Sequence, residues 1–200
     1  AAYRVRIALA LKGIDYEVRT VDLRVGAHRD PVYLGVNPQG LVPCLIDGDA
    51  AFSQSIAIME YLEERFPEPA LLPKDPAGRA KVRAAAQVIA SDIHPINNLR
   101  VLNYLKAELG QEQPALDRWM ARWIGAGFGV LEANAGAPYL FGDAVTMADL
   151  CLVPQFYNAR RFGVDLSMFP KLTAVERNLL ALPAFEAARP ENQPDADSPA

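Results

Sequence analysis

The chain has 200 residues, 51% of them hydrophobic and 22% charged, with a formal net charge of −4 at pH 7. That is a globular composition, long enough for a sizeable core, and its acidic balance leaves no electrostatic footprint for nucleic acid. No apolar run reaches the roughly 20 residues of a membrane span, no Cys/His cluster has metal-ligand spacing, and Cys44 and Cys151 each sit in an apolar run, as buried thiols of a reducing, cytoplasmic compartment do.

The first element is a helix over Tyr3–Lys12. Val5, Ala8, Leu9 and Lys12 fall near one face, Ile7 and Leu11 extend it, and Gly13 is a natural stop. Tyr16–Leu23 alternates apolar and polar residues and predicts a strand. Gly26–Val36 is polar and reads as a loop; His28 within it is by default a solvated histidine.

The stretch from Asn37 to Ser55 is the most informative. Pro38 and Gly40 mark a turn, Cys44–Ile46 reads as a short strand, Asp47-Gly48 as a tight turn, and Ala50–Phe52 as the returning strand of a hairpin. Pro43 cannot donate to a ladder, so it belongs at an edge, a bulge or a cis turn. A cis Pro43 turns the backbone of Val42 outward, where a peptide-like ligand can pair with it as an added strand. Gln54 and Ser55 open a helix, and orphan N–H groups there favour a carboxylate. An ordinary proline-marked turn with an N-cap serine fits the same residues.

Pro67, Pro69, Pro73 and Pro76 mark a linker. Asp75–Leu109 is Ala-rich and helical, and Pro95 within it predicts a kink near Asp92. His94, Asn98 and Arg100 cluster at that break, where capping or solvation is as open as ligand contact. Gln113–Leu131 is a further helix whose Trp119 and Trp123 stripe reads as core. Thr146 and Asp149 stand three apart before an apolar run, a variant capping box. Cys151–Phe156 is apolar enough to be packed centrally, with Pro154 inside the helix. Arg160 and Arg161 close that helix, where arginines ordinarily complement its dipole. A last helix runs to about Leu182, and the tail over 190–200 has a disordered composition.

Several of these motifs carry a family resemblance. Val42-Pro43 before a strand, then Asp47-Gly48, then Gln54-Ser55 opening a helix, resembles the glutathione site of the glutathione transferases. The run from Tyr3 to Glu17 closely resembles the zeta class, as do Asp92-Ile93-His94-Pro95-Ile96-Asn97-Asn98 and the following Leu99-Arg100-Val101-Leu102. The resemblance implies a glutathione transferase fold: an α/β thioredoxin-like, glutathione-binding domain over 1–68, then an all-α helical domain over 74–189. It implies a first strand and a catalytic serine just before Ala1, so that no catalytic residue lies in the chain itself. It assigns glutathione as cofactor, bound by His28, Val42, Gln54, Ser55, His94, Asn98, Leu99 and Arg100. Pro43, Thr146 and Asp149 are then structural, and Arg161, with Arg4 behind it, anchors a small dicarboxylate substrate. The implied activity is glutathione-dependent cis–trans isomerisation of maleylacetoacetate to fumarylacetoacetate in tyrosine and phenylalanine breakdown, by a cytoplasmic homodimer without nucleic-acid or membrane partners. Maleylpyruvate isomerase, a general glutathione transferase and a non-catalytic binding module are the competing expectations.

Overall fold

The computed structural model describes residues 1–196. They form two compact units. One is Ala1–Ala70 joined by the segment from Leu182 onward, and the other is Leu71–Ala181.

The first unit begins with α1 (Ala2–Leu11), which buries Tyr3, Val5, Ile7, Ala8 and Leu9. Gly13 ends it at φ +62°, with Ile14 N–H donating to the Leu9 carbonyl and Gly13 N–H to that of Ala10, a Schellman arrangement. A 3₁₀ turn (Ala27–Arg29) and α2 (Pro31–Val36) follow. The hairpin pairs β1 (Cys44–Asp47) antiparallel with β2 (Ala50–Ser53), with Cys44 opposite Ser53 and Asp47 opposite Ala50. Then comes α3 (Ser55–Arg65), whose buried Ile58, Met59 and Leu62 pack in the core with α1. The side chain of Lys12, the residue that closes α1, is buried. Its Nζ donates to Glu63 Oε2 at 2.9 Å and to the carbonyls of Phe66 and Pro69, tying the ends of α1 and α3 together.

The second unit is all-helical: α4 (Pro76–Gln87), a π turn (Val88–Ile93), a 3₁₀ turn (Pro95–Asn97), α5 (Leu99–Ala107), α6 (Gln113–Asn134), α7 (Met147–Arg161) and α8 (Pro170–Leu180). The nearly all-buried α7 packs on α4, α8 and the π turn. This is the expected combination of a thioredoxin-like α/β unit with a helical one.

Four expectations change. Tyr16–Leu23 forms no strand: its residues are mostly exposed whatever their parity, and it shares no ladder with β1 or β2, so the alternation has no two-faced sheet to act on. The polar loop contains a helix, because Asp30 caps α2 by accepting from Val32 N–H and Pro31 pre-sets its first φ. The helical segment expected over 74–189 ends earlier, and the chain from Leu182 joins the first unit. There α9 (Pro183–Ala187) packs on α1, with Phe185 buried and its carbonyl accepting from Tyr3 Oη. The tail expected to be disordered from Pro190 instead forms a 3₁₀ turn over Pro190–Asn192. Asn192 Nδ2 donates to the Glu186 carbonyl, and Gln193 Nε2 to those of Ala187 and Arg189. Its last part, 197–200, lies outside the described residues.

Candidate functional site

On the first unit the site grows from a clamp on one carbonyl. Leu41 O accepts from Tyr33 Oη at 2.6 Å and from Asn37 Nδ2 at 2.7 Å. Asn37 is buried, and its Oδ1 and carbonyl accept from the N–H groups of Gln39 and Gly40. Gly40 has φ +61°, and a Cβ there would lie 3.1 Å from the His28 carbonyl and 3.3 Å from Leu34 Cδ2. Only glycine suits that turn, and the turn brings His28 beside the clamp. The His28 Nδ1 is buried without a hydrogen-bond partner.

The clamp fixes the residue before Val42. The Val42–Pro43 peptide is cis. Among the described residues neither the N–H nor the C=O of Val42 has a hydrogen-bond partner, so the bend before β1 presents both groups unpaired. Burial pushes the Cys44 thiol above its ordinary range, which argues against a reactive thiolate there.

Across the hairpin, Gln54 is the N-cap of α3 and adopts φ +67°, ψ +116°, the one non-glycine positive φ among the described residues. Such a conformation costs on the order of 1–3 kcal/mol and characteristically occurs where a ligand is held. The Gln54 side chain does not cap its helix; Nε2 donates to Gln39 Oε1 at 2.8 Å. Ser55 is therefore the first helical residue and not the N-cap. It is buried, and its Oγ accepts from Arg4 at 3.1 Å. The first-turn N–H groups of α3 have no side-chain acceptor, which leaves the positive end of the helix open.

Arg4 is 2% exposed and lies against Ser55. The remaining candidates lie on the second unit. Pro95 cannot supply the N–H that continues a helix, and the predicted kink is realised as the π turn followed by the 3₁₀ turn. Asn98 Oδ1 caps α5 by accepting from Arg100 N–H, while Leu99 and Arg100 are exposed. His94 is half-buried, with its N–H on the Ile89 carbonyl. Sequence reasoning missed two supports here. Asn97 is buried with Nδ2 on the Ile93 carbonyl. Trp119, expected in the core, is half-buried and donates from Nε1 to the Ile96 carbonyl at 2.9 Å.

The two arginines ending α7 are not equivalent. Arg160 is forked onto the buried carboxylate of Glu176, which holds its guanidinium still more firmly protonated. Arg161 is exposed, lies over the Phe162 ring at 5.9 Å, and pairs with no carboxylate among the described residues. The capping box is closed: Asp149 Oδ2 accepts from Thr146 N–H and Oγ1, and Oδ1 from Leu140 N–H. Burial pushes the Asp149 carboxyl up while those donors pull it down. Both carboxylate oxygens are engaged within the fold.

Among the described residues no group of three or more His, Cys, Asp or Glu side chains could hold a metal ion, and no helix is long and apolar enough to cross a membrane. Residues 1–65 match the family model described as glutathione S-transferase, N-terminal domain. The chain is 48% identical to a probable maleylacetoacetate isomerase of Vibrio cholerae serotype O1, over 98% of this chain and 94% of that protein. Among solved structures it is similar to the holo form of a maleylpyruvate isomerase described as a bacterial zeta-class glutathione S-transferase (TM-score 0.95, 46% identity, 98% and 95% of the chains covered). It is also similar to a maleylacetoacetate isomerase of Methylobacterium extorquens AM1 with bound malonate and GSH (TM-score 0.94, 39% identity, 98% and 95% covered). The chain belongs to the zeta class of the glutathione S-transferase family.

Proposed function

We propose that this protein is a glutathione-dependent cis–trans isomerase that converts maleylacetoacetate to fumarylacetoacetate. The observation that carries this reading is the pair of unsatisfied backbone sites on the first unit: the free N–H and C=O of Val42, and the uncapped N-terminus of α3 under Gln54. A γ-glutamyl peptide has the complementary groups, a main-chain amide for Val42 and a carboxylate for the helix end. The residues present therefore fit glutathione. Val42 would pair with its cysteinyl part, Gln54 and Ser55 would hold its γ-glutamyl carboxylate, and His28 stands beside the same turn. When bound, glutathione supplies a thiol whose reversible addition to an activated cis double bond permits rotation to the trans isomer.

The chain's own residues bind and orient. Gln54 is held by Gln39 in the conformation that keeps the α3 N–H groups open. On the second unit, His94, Asn98, Leu99 and Arg100 are proposed as ligand-binding residues of that unit. Arg161 is assigned the substrate carboxylate, because it is the arginine of its pair that no acidic residue occupies, and guanidinium suits a carboxylate bidentately. Maleylpyruvate as the preferred substrate is the second reading, favoured by the likeness to the maleylpyruvate isomerase structure. The proposal extends to a cytoplasmic homodimer acting on a small dicarboxylate; this part rests on family membership, and sedimentation of the purified protein tests the dimer.

The experiment is an Arg161→Ala and Arg160→Ala pair. Arg161→Ala is expected to raise substrate KM at least tenfold, an order set by the loss of a charge-assisted pair, with glutathione binding within twofold of wild type. Arg160→Ala is expected to lower thermal stability with a smaller KM change. Equal loss of substrate and glutathione binding in Arg161→Ala would overturn the assignment.

A further inference from the structure

We propose that Arg4 is a positioning residue for the carboxylate seat at the N-terminus of α3: from beneath the first turn it holds the Ser55 oxygen as an acceptor and so turns the Ser55 proton toward the bound carboxylate. The inference rests on the reading of that turn as the place of the γ-glutamyl carboxylate.

A guanidinium can only donate, and a serine hydroxyl has one hydrogen and two lone pairs. Arg4 reaches Ser55 Oγ at 3.1 Å and so takes one lone pair. Ser55 stands at the first helical position, where the neighbouring backbone groups are N–H donors and offer nothing to its hydrogen. Among the described residues no acceptor takes the Ser55 proton. A buried serine with its oxygen engaged and its hydrogen free donates to whatever acceptor arrives at the helix end.

Arg4 itself needs such an acceptor. Its guanidinium is 2% exposed, its Nε is buried without a partner, and no carboxylate of the described residues pairs with it. A buried, uncompensated cation is costly unless an anion approaches. A carboxylate on the α3 N-terminus would lie one hydroxyl away, joined to Arg4 through Ser55. Arg6, two residues on, makes a different bond: its Nε donates to the Ala188 carbonyl and ties α1 to the chain after α9. Of the Arg-Val-Arg pair, only Arg4 is turned toward the site.

The effect is confined to one end of the ligand, which gives a readout that a merely structural role would not move. Two thiol peptides are titrated calorimetrically: glutathione, and 4-aminobutyryl-cysteinylglycine, which lacks only the γ-glutamyl carboxylate. Wild type is expected to bind glutathione more tightly by a factor of about 10–100, the worth of hydrogen bonds to a charged group. Arg4→Met is expected to shrink that ratio about tenfold by weakening glutathione alone. Arg4→Lys keeps the charge and is expected to restore part of the ratio. In a Ser55→Ala background, Arg4→Met is expected to cost nothing further. If Arg4→Met does not fold, Arg4→Lys alone carries the test, by a ratio below wild type with the analogue's affinity unchanged. Equal weakening of both peptides, or an unchanged ratio in either Arg4 variant, would overturn the role of Arg4. A wild type that binds both peptides equally would overturn the carboxylate seat itself, and the role of Arg4 with it.

Discussion

Gly127 is where α6 meets the π turn that sets the His94–Asn98 segment, and a single methyl group there tests the packing. A Cβ on Gly127 would lie 2.3 Å from Ile93 Cδ1 and 2.6 Å from Ile93 Cγ1. Ordinary contact begins near 3.4 Å, so Ile93 must move by roughly 1 Å in a fully buried setting. Overpacking of this kind costs about 1–3 kcal/mol. Replacing glycine by alanine inside a helix returns about 1 kcal/mol. Gly127→Ala is therefore expected to destabilise the unit by up to about 2 kcal/mol. Gly125 and Gly129 in the same helix have nothing within 4 Å of an added Cβ, and alanine there is expected to stabilise by about 0.5–1 kcal/mol. The assay is built in, because both tryptophans of the chain, Trp119 and Trp123, lie on α6. Urea unfolding followed by tryptophan fluorescence thus reports on this unit. Adding Ile93→Ala, which removes both clashing atoms, should make the double variant more stable than the sum of the singles by about 1 kcal/mol or more. Gly127→Ala with the same midpoint as Gly129→Ala, or strict additivity with Ile93→Ala, would refute the close approach.

Three further outcomes follow from the geometry. Burial pushes the Tyr3 hydroxyl from its ordinary 10 up to about 12. Below pH 10 folded and unfolded chains are both protonated there. Between 10 and about 12 only the unfolded chain ionises, so stability falls as pH rises, by at most about 2.7 kcal/mol in all. A Tyr3→Phe variant lacks this loss, and absorbance at 295 nm should show one tyrosine fewer titrating near 12; identical alkaline profiles would contradict it. Asp149→Asn keeps only one acceptor where Asp149 serves three donors, and is expected to cost about 2–4 kcal/mol by urea midpoint, with turnover of the folded protein within twofold. Trp119→Phe removes the bond to the Ile96 carbonyl and is expected to cost about 1 kcal/mol; no change in midpoint would show that bond to be idle.

What the sequence revealed was local. Gly13 ends α1 because only a positive φ completes that cap, and Pro95 breaks a helix because it has no N–H; both are readable from a few adjacent residues. The Val42-Pro43 and Gln54-Ser55 pair was legible for the same reason, as was the Thr146–Asp149 box. Several of the misses depend on partners distant in the chain, and one on a short helix hidden in a polar stretch. Tyr16–Leu23 alternates, but alternation makes a strand only beside another strand. Phe185 joins the first unit through Tyr3, 182 residues away. The clamp of Tyr33 and Asn37 on Leu41 was hidden because α2, begun by Asp30 and Pro31, was read as a polar loop. For Arg4, the match in charge between arginine and a dicarboxylate is readable from the sequence, whereas its burial against Ser55, 51 residues away, is not. Arg160 and Arg161 are alike in sequence, and Glu176 on α8 distinguishes them.

The most direct test is isomerisation of maleylacetoacetate, followed by absorbance with and without glutathione, on protein expressed from its intact reading frame, with maleylpyruvate run in parallel. Turnover that requires glutathione, with the larger kcat/KM for maleylacetoacetate, is the predicted result. No turnover of either substrate in the presence of bound glutathione would contradict the account.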